Sequence, residues 1–149
     1  MPQSYTSLIY HIVFGTKHSL PQIRSDMAPA LHAYMAGIIR NLSGQAILIG
    51  GVADHVHVLT ALSQDRAVKD VLRDLKANSS RWVHKEHREL LDFDWQDGYS
   101  AFSVGARGIP RVKAYIANQE THHREVPFRD ELREFLKIHG VAFDERYLA

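Results

Sequence analysis

Cysteine is absent from all 149 residues, which rules out disulfides, thiolate-bound metals and a cysteine nucleophile, and leaves no sign of an oxidising compartment. Long apolar runs are missing as well. None approaches the roughly 20 residues needed to span a bilayer, and the opening Met-Pro-Gln-Ser-Tyr-Thr lacks the basic segment and apolar stretch of a secretion signal. A soluble, cytoplasmic protein without a membrane partner is expected. Net charge is low, at +1, so a polyanionic partner would have to be held by a local patch. No repeat, linker or low-complexity stretch divides the chain, and 45% hydrophobic residues suffice for one core of this length. A single domain over residues 1–149 follows.

Where charge does gather, it gathers unevenly. Residues 66–88 carry seven Lys/Arg against three Asp/Glu, residues 107–124 carry four against one, and residues 89–106 carry four acids and no Lys/Arg. Both basic segments read as helices.

Residues 7–14 (SLIYHIVF) are rich in β-branched and aromatic side chains and are closed by Gly15, as in a buried strand. Ser25-Asp26 can cap a helix running to about Leu42, with Pro29 tolerated in its opening turn and Ser43-Gly44 at its end. Ala46–Gly50 and His55–Leu62 follow as antiparallel strands joined through Gly50-Gly51. Asp65 can cap a second helix, whose stripe of Val68, Val71, Leu72, Leu75, Ser79, Trp82 and Val83 leaves Arg73, Lys76, Arg81 and Lys85 outside it. Trp82 thus falls at core spacing, whereas Trp95, in an acidic loop, is expected to be the exposed ring. Tyr99–Val104 alternates like a fourth, half-buried strand, Pro110 opens a third helix to about Arg124, and a fourth runs from Pro127-Phe128 to about His139. The order strand, helix, strand, strand, helix, strand predicts an α+β, ferredoxin-like split β-α-β fold with two appended C-terminal helices.

Two constellations carry chemistry. In His55-Val56-His57, strand alternation sends both imidazoles to one side and Val56 and Val58 into the core. Two imidazoles on a rigid strand are half a metal site, and they accept Mg2+, Mn2+ or Zn2+ according to what completes the shell. On the third helix, Tyr115, Gln119 and His122 share one face at i, i+4 and i+7. A tyrosine hydroxyl beside a divalent metal can attack phosphorus, and Gln119 offers a neutral oxygen ligand one turn away. His122 and His123 receive no catalytic role from the sequence.

Taken together, His-hydrophobic-His and a later helical Tyr-x-x-x-Gln resemble the HUH single-tyrosine transposases, the TnpA-type enzymes of small bacterial insertion sequences and their repeat-associated relatives. The resemblance extends to His11-Ile-Val-Phe-Gly-Thr-Lys17, the Gly-Gly-Val-Ala-Asp-His-Val-His block, Ser79-Ser80-Arg81-Trp82 and Gly98-Tyr-Ser-Ala-Phe-Ser-Val104. It implies a four-stranded antiparallel sheet with helices on one face. It also implies Tyr115 as nucleophile, His55, His57 and Gln119 as ligands, and Mg2+ or Mn2+ as cofactor. The implied reaction is cleavage and rejoining of single-stranded DNA beside hairpins through a 5'-phosphotyrosine link. By resemblance the protein is a homodimer whose sites combine the histidines of one subunit with Tyr115 of the other. Arg73, Lys76, Arg81 and Lys85 are the candidate DNA contacts. The rival readings are a non-catalytic single-stranded nucleic-acid binder on the same sheet and a phosphodiesterase that uses water.

Overall fold

Alternation along two strands decides which side of the sheet is core and which is site. A computed structural model describes residues 3–148. In it β1 (Ile9–Gly15) and β3 (His55–Ala61) lie side by side, with Ile12 opposite Val58 and Phe14 opposite Val56. Those four side chains point one way and are at most 1% exposed. His11, Val13, His55 and His57 therefore point the other way. With β2 (Gln45–Val52) and β4 (Ser100–Ser103) the strands form one antiparallel sheet in the order β2-β3-β1-β4.

Helices α1 (Ala28–Asn41) and α2 (Val68–Glu86) cover the apolar side. Leu31, Met35 and Ile39 from α1 and Val71, Leu72, Leu75 and Val83 from α2 close on Ile12, Phe14, Val56 and Val58. Each such side chain contributes roughly 1.5–3 kcal/mol on burial. The βαββαβ order and ferredoxin-like sheet expected from the sequence are both present.

The opposite side is not left open, as helices on one face alone would leave it. It is covered by α3 (Ile109–Ala117), α4 (Gln119–His123) and α5 (Phe128–Ile138). On α5, Phe128, Leu132 and Leu136 stand at i, i+4 and i+8 and pack on Val13 and Phe102. Helix α3 rests on β2, where a Cβ added at Gly50 would lie 2.7 Å from the Ile116 side chain. Only glycine lets the helix approach this closely, and Ile116 sits one residue from Tyr115.

Local details depart from the sequence reading. Gly50 and Gly51 belong to β2, and the turn to β3 is made by Ala53-Asp54. Gly51 still has a positive φ of 149° beside that turn. Neither Ser25-Asp26 nor Asp65 caps a helix: α1 starts after Met27 and α2 after Ala67, both without a side-chain cap. Asp65 instead donates its backbone N–H to the Ser63 hydroxyl, a local turn that competes with capping. The helix expected to run unbroken from Pro110 is interrupted at Asn118, whose φ of -101° and ψ of 16° end one helix before Gln119 begins the next. Asparagine tolerates such a break because its side chain competes for backbone hydrogen bonds.

Candidate active site

The β3 histidines are held at both ends. The Nδ1–H of His55 donates to Asp54 Oδ1 over 2.7 Å, and His57 Nδ1 lies 2.7 Å from Nε2 of His11 on β1. With both Nδ1 atoms engaged, both Nε2 atoms face away from the sheet and converge on one carboxylate. Glu131 Oε1 is 3.2 Å from His55 Nε2 and 3.0 Å from His57 Nε2. Its other oxygen accepts from Gln119 Nε2 over 3.0 Å and from the Tyr115 hydroxyl. Gln119 also brings Oε1 to 3.1 Å from His55 Nε2.

Sequence reasoning brought together Tyr115, His55, His57 and Gln119, and the fold does the same. What it missed is their shared partner, Glu131, which is 3% exposed although charged. Its sequence signal was present: an acid three residues after Phe128 falls next to the apolar stripe of an amphipathic helix. His123, given no role by the sequence, points Nε2 to within 3.1 Å of Glu131 Oε2, yet that buried nitrogen has no hydrogen-bond partner.

His55, His57, His123 and Glu131 place one ligand atom each within 4.8 Å of one another. Three imidazoles and a carboxylate suit a divalent transition metal, and the unpartnered Nε2 of His123 is the kind of buried donor an ion would satisfy. The residues present therefore fit a metal.

Electrostatics follow from this packing. Burial alone would raise the Glu131 carboxyl, but the imidazoles of His123, His55 and His57 outweigh it and hold the group far below the ordinary carboxylate range. Burial favours a neutral His55, yet Asp54 and Glu131 raise it above its ordinary value. His57 is lowered, chiefly by burial, and burial pushes His11 down to about 3. Tyr115 is raised by burial and then by the negative charge of Glu131, so the phenol is firmly protonated at neutral pH.

These shifts set a pH dependence. His11 and His57 resist protonation in the fold, so they contribute stability above the unfolded value near 6.5 that is lost as pH falls below it. His55, being raised, contributes below 6.5 and loses that contribution as pH rises through its folded value. Glu131, being lowered, contributes above about 4.5 and is lost only in stronger acid. Burial lowers His32 as well, so with three lowered histidines against one raised, urea unfolding at pH 5 should give a lower stability than at pH 6.5, by up to about 1.4 kcal/mol per pH unit for each uncompensated proton. Higher stability at pH 5 would contradict this environment for His11 and His57.

Tyr115 reaches the histidines of its own chain. Its ring centroid is 5.7 Å from that of His57 and 5.3 Å from that of His122. Between β4 and α3 a short 3-10 turn, Ala106–Gly108, returns α3 directly over its own sheet.

The basic candidates lie elsewhere. Arg73, Lys76, Arg81 and Lys85 are on α2, on the far side of the sheet from the histidines. Arg73 is paired with Asp70 and Asp74. Lys76 donates to the carbonyls of Gln96 and Gly98 over 2.8 and 2.5 Å. Arg73, Lys76 and Arg81, but not Lys85, border a cleft of about 610 Å3 between α2 and residues 94–99. Trp95, expected to be exposed, is 3% exposed: its Nε1–H donates to Ser79 Oγ, and its ring meets Phe14 and Phe93 edge-on. Trp82, expected at core spacing, is partly buried and stacks on Tyr34.

A four-stranded sheet with two histidines on its third strand and a tyrosine on the helix after its fourth is the framework of a tyrosine transposase. The sequence agrees: the pattern of the family described as "Transposase IS200 like" matches residues 4–119. The chain belongs to that family. It is 23% identical over 123 residues to the ISDra2 transposase TnpA of Deinococcus radiodurans, covering 79% of this chain and 86% of that protein. Two solved structures share the fold. One is a candidate transposase from Deinococcus radiodurans R1, with a TM-score of 0.65, 20% identity, and 80% and 96% of the two chains covered. The other is a REP-associated tyrosine transposase bound to a REP hairpin, with a TM-score of 0.62, 14% identity, and 85% and 74% covered. The family match takes in His55, His57, Tyr115 and Gln119 and stops before His123 and Glu131. Among the described residues no helix is long and apolar enough to cross a membrane.

Proposed function

We propose that this transposase cleaves and rejoins single-stranded DNA beside hairpins, with Tyr115 as nucleophile. Its hydroxyl oxygen forms a bond to phosphorus as the bond from phosphorus to the 3'-oxygen breaks. The phenolic proton is lost, and the departing oxygen leaves as a 3'-hydroxyl. The 5'-phosphate remains linked to Tyr115, and attack by another 3'-hydroxyl reverses the step and seals a new junction. Because one phosphodiester replaces another, no external energy source is required.

The observation that carries this reading is that Tyr115, His55, His57 and Gln119 meet at the same buried carboxylate, Glu131. His55, His57, His123 and Glu131 would hold the metal, with Gln119, the ligand implied by the resemblance, beside them. When bound, the metal polarises the scissile phosphate and offsets charge on the leaving oxygen. Imidazole-rich donors favour Mn2+ over Mg2+, which prefers oxygen and water. Asp54 orients His55, and Glu131 with Gln119 holds the Tyr115 hydroxyl against the cluster. The exposed side of α2, with Arg81 and Lys85 foremost, would contact hairpin phosphates. The rival nucleic-acid binder would use an open sheet face carrying aromatics for base stacking, and here that face is covered by α3, α4 and α5.

The test is incubation with a hairpin-bearing single-stranded oligonucleotide and Mn2+, followed by denaturing electrophoresis. A covalent adduct that maps to Tyr115 and is lost with chelator is expected. Binding without an adduct would favour the rival binder. Cleavage without one would favour attack by water.

The resemblance also implies a homodimer, and we propose that in such a dimer each chain carries a complete site. Mixing subunits bearing His57→Ala with subunits bearing Tyr115→Phe should then restore no activity, because both sites of a mixed dimer retain one lesion. Recovery to about a quarter of wild type, the value for random exchange with shared sites, would instead place Tyr115 opposite the partner's histidines.

A further inference from the structure

His11 lies in the opening motif of the chain and takes no part in the reaction as described above. It is nevertheless 3% exposed, set edge to edge with the His57 ring with centroids 5.0 Å apart, and joined to it by the 2.7 Å contact from Nε2 to Nδ1. Sheet register creates the contact: His57 faces Val13 and Leu59 faces His11, so the two histidines are diagonal neighbours on one side of adjacent strands.

The two ligand histidines therefore have partners of different kinds. Asp54 can only accept, so it fixes a proton on Nδ1 of His55 whatever happens at Nε2. A neutral imidazole can either donate or accept. Where Glu131 accepts from His57 Nε2–H, Nδ1 of His57 is left bare to accept from His11 Nε2–H. A metal on His57 needs Nε2 bare, so Nδ1 must carry the proton and donate to a bare Nε2 of His11. The balance closes without net gain: His57 gives up its Nε2 proton and takes one on Nδ1, while His11 gives up its Nε2 proton and takes one on its own Nδ1. His11 also borders a cavity of about 130 Å3 lined with Arg111, Val112, Tyr115 and Phe135.

We propose that His11 is a positioning residue for the metal ligand His57, an amphoteric partner that holds the His57 ring in place and sets its tautomer in both the metal-free and the metal-loaded site. The metal-loaded half rests on the metal reading of the site; the metal-free half does not. Removing the second partner of a ligating histidine typically costs 10–100-fold in metal affinity.

The test compares His11→Phe, which fills the space without a hydrogen bond, with His11→Gln, whose amide can donate or accept. Mn2+ affinity is read from the free-ion resonance signal, and the His57 ring nitrogens are read by 15N NMR with and without Mg2+. Wild-type His57 should carry its proton on Nε2 without metal and on Nδ1 with it. His11→Phe should bind Mn2+ 10–100-fold more weakly and give mixed His57 tautomers, and His11→Gln should stay within a few-fold of wild type. His57 shifts unchanged in metal-free His11→Phe would overturn the proposal, as would Mn2+ affinity equal to wild type. Should His11→Phe fail to fold, a wild-type His57 whose proton does not move on adding Mg2+, or a folded His11→Gln that loses affinity as a histidine-to-alanine ligand variant does, would overturn it equally. A wild-type protein that binds neither ion would sink the metal reading, while the metal-free shifts would still decide for or against His11.

Discussion

Tyr115→Phe should eliminate the covalent protein-DNA adduct and lower cleavage by at least about a thousandfold, because no other group at the site offers a hydroxyl to phosphorus. The change deletes one oxygen from a half-buried side chain whose partner is Glu131, a hydrogen bond to a charged group worth roughly 1.5–3 kcal/mol. Thermal denaturation should therefore show a small loss, and fluorescence anisotropy with a hairpin oligonucleotide should show binding near wild type. That separation of binding from cleavage is the diagnostic result. An adduct that persists in Tyr115→Phe would assign the nucleophile elsewhere.

Glu131→Ala should have the largest effect on stability of any single change at the site. It leaves His55, His57, Gln119 and Tyr115 without their common partner in a region almost closed to water. Breaking a buried charge network in this way costs about 3–5 kcal/mol, which for a chain of this size lowers Tm by on the order of 10 °C. Glu131→Gln keeps the shape and an acceptor but loses the charge, so it should recover most of the stability while binding Mn2+ at least about tenfold more weakly. Calorimetry separates the two variants. Equal stability of Glu131→Ala and wild type would remove the carboxylate from the centre of the site.

The parts of this site that could be read in the sequence are those fixed by local spacing. Alternation placed His55 and His57 together, and one helical turn placed Gln119 beside Tyr115, even though the helix breaks at Asn118. Glu131 was not legible because its position depends on how α5 docks through Phe128 and Leu132 onto Val13 and Phe102, and the contacts to Val13 cross more than a hundred residues of chain. Trp95 shows a different failure. The acids of residues 89–97 suggested a solvated loop, yet Phe93 and Trp95 are buried while Asp92 and Asp94 are not, a period of two that composition alone conceals. The resemblance to single-tyrosine transposases was legible in separate motifs from His11 onward, the family pattern matches residues 4–119, and the helix that supplies Glu131 lies beyond both.

The interruption at Asn118 gives Tyr115 and its neighbours separate mountings. On one continuous helix, Tyr115 and Gln119 would behave as two fittings on a single rod, and any slip of the rod would misalign both. Here the first segment takes its alignment from Ile116 seated on Gly50, and the second is tied through Gln119 to α5. A misplacement of about 1 Å at reacting atoms can cost a hundredfold in rate, so independent mountings confine the damage of a local shift to one of the two parts.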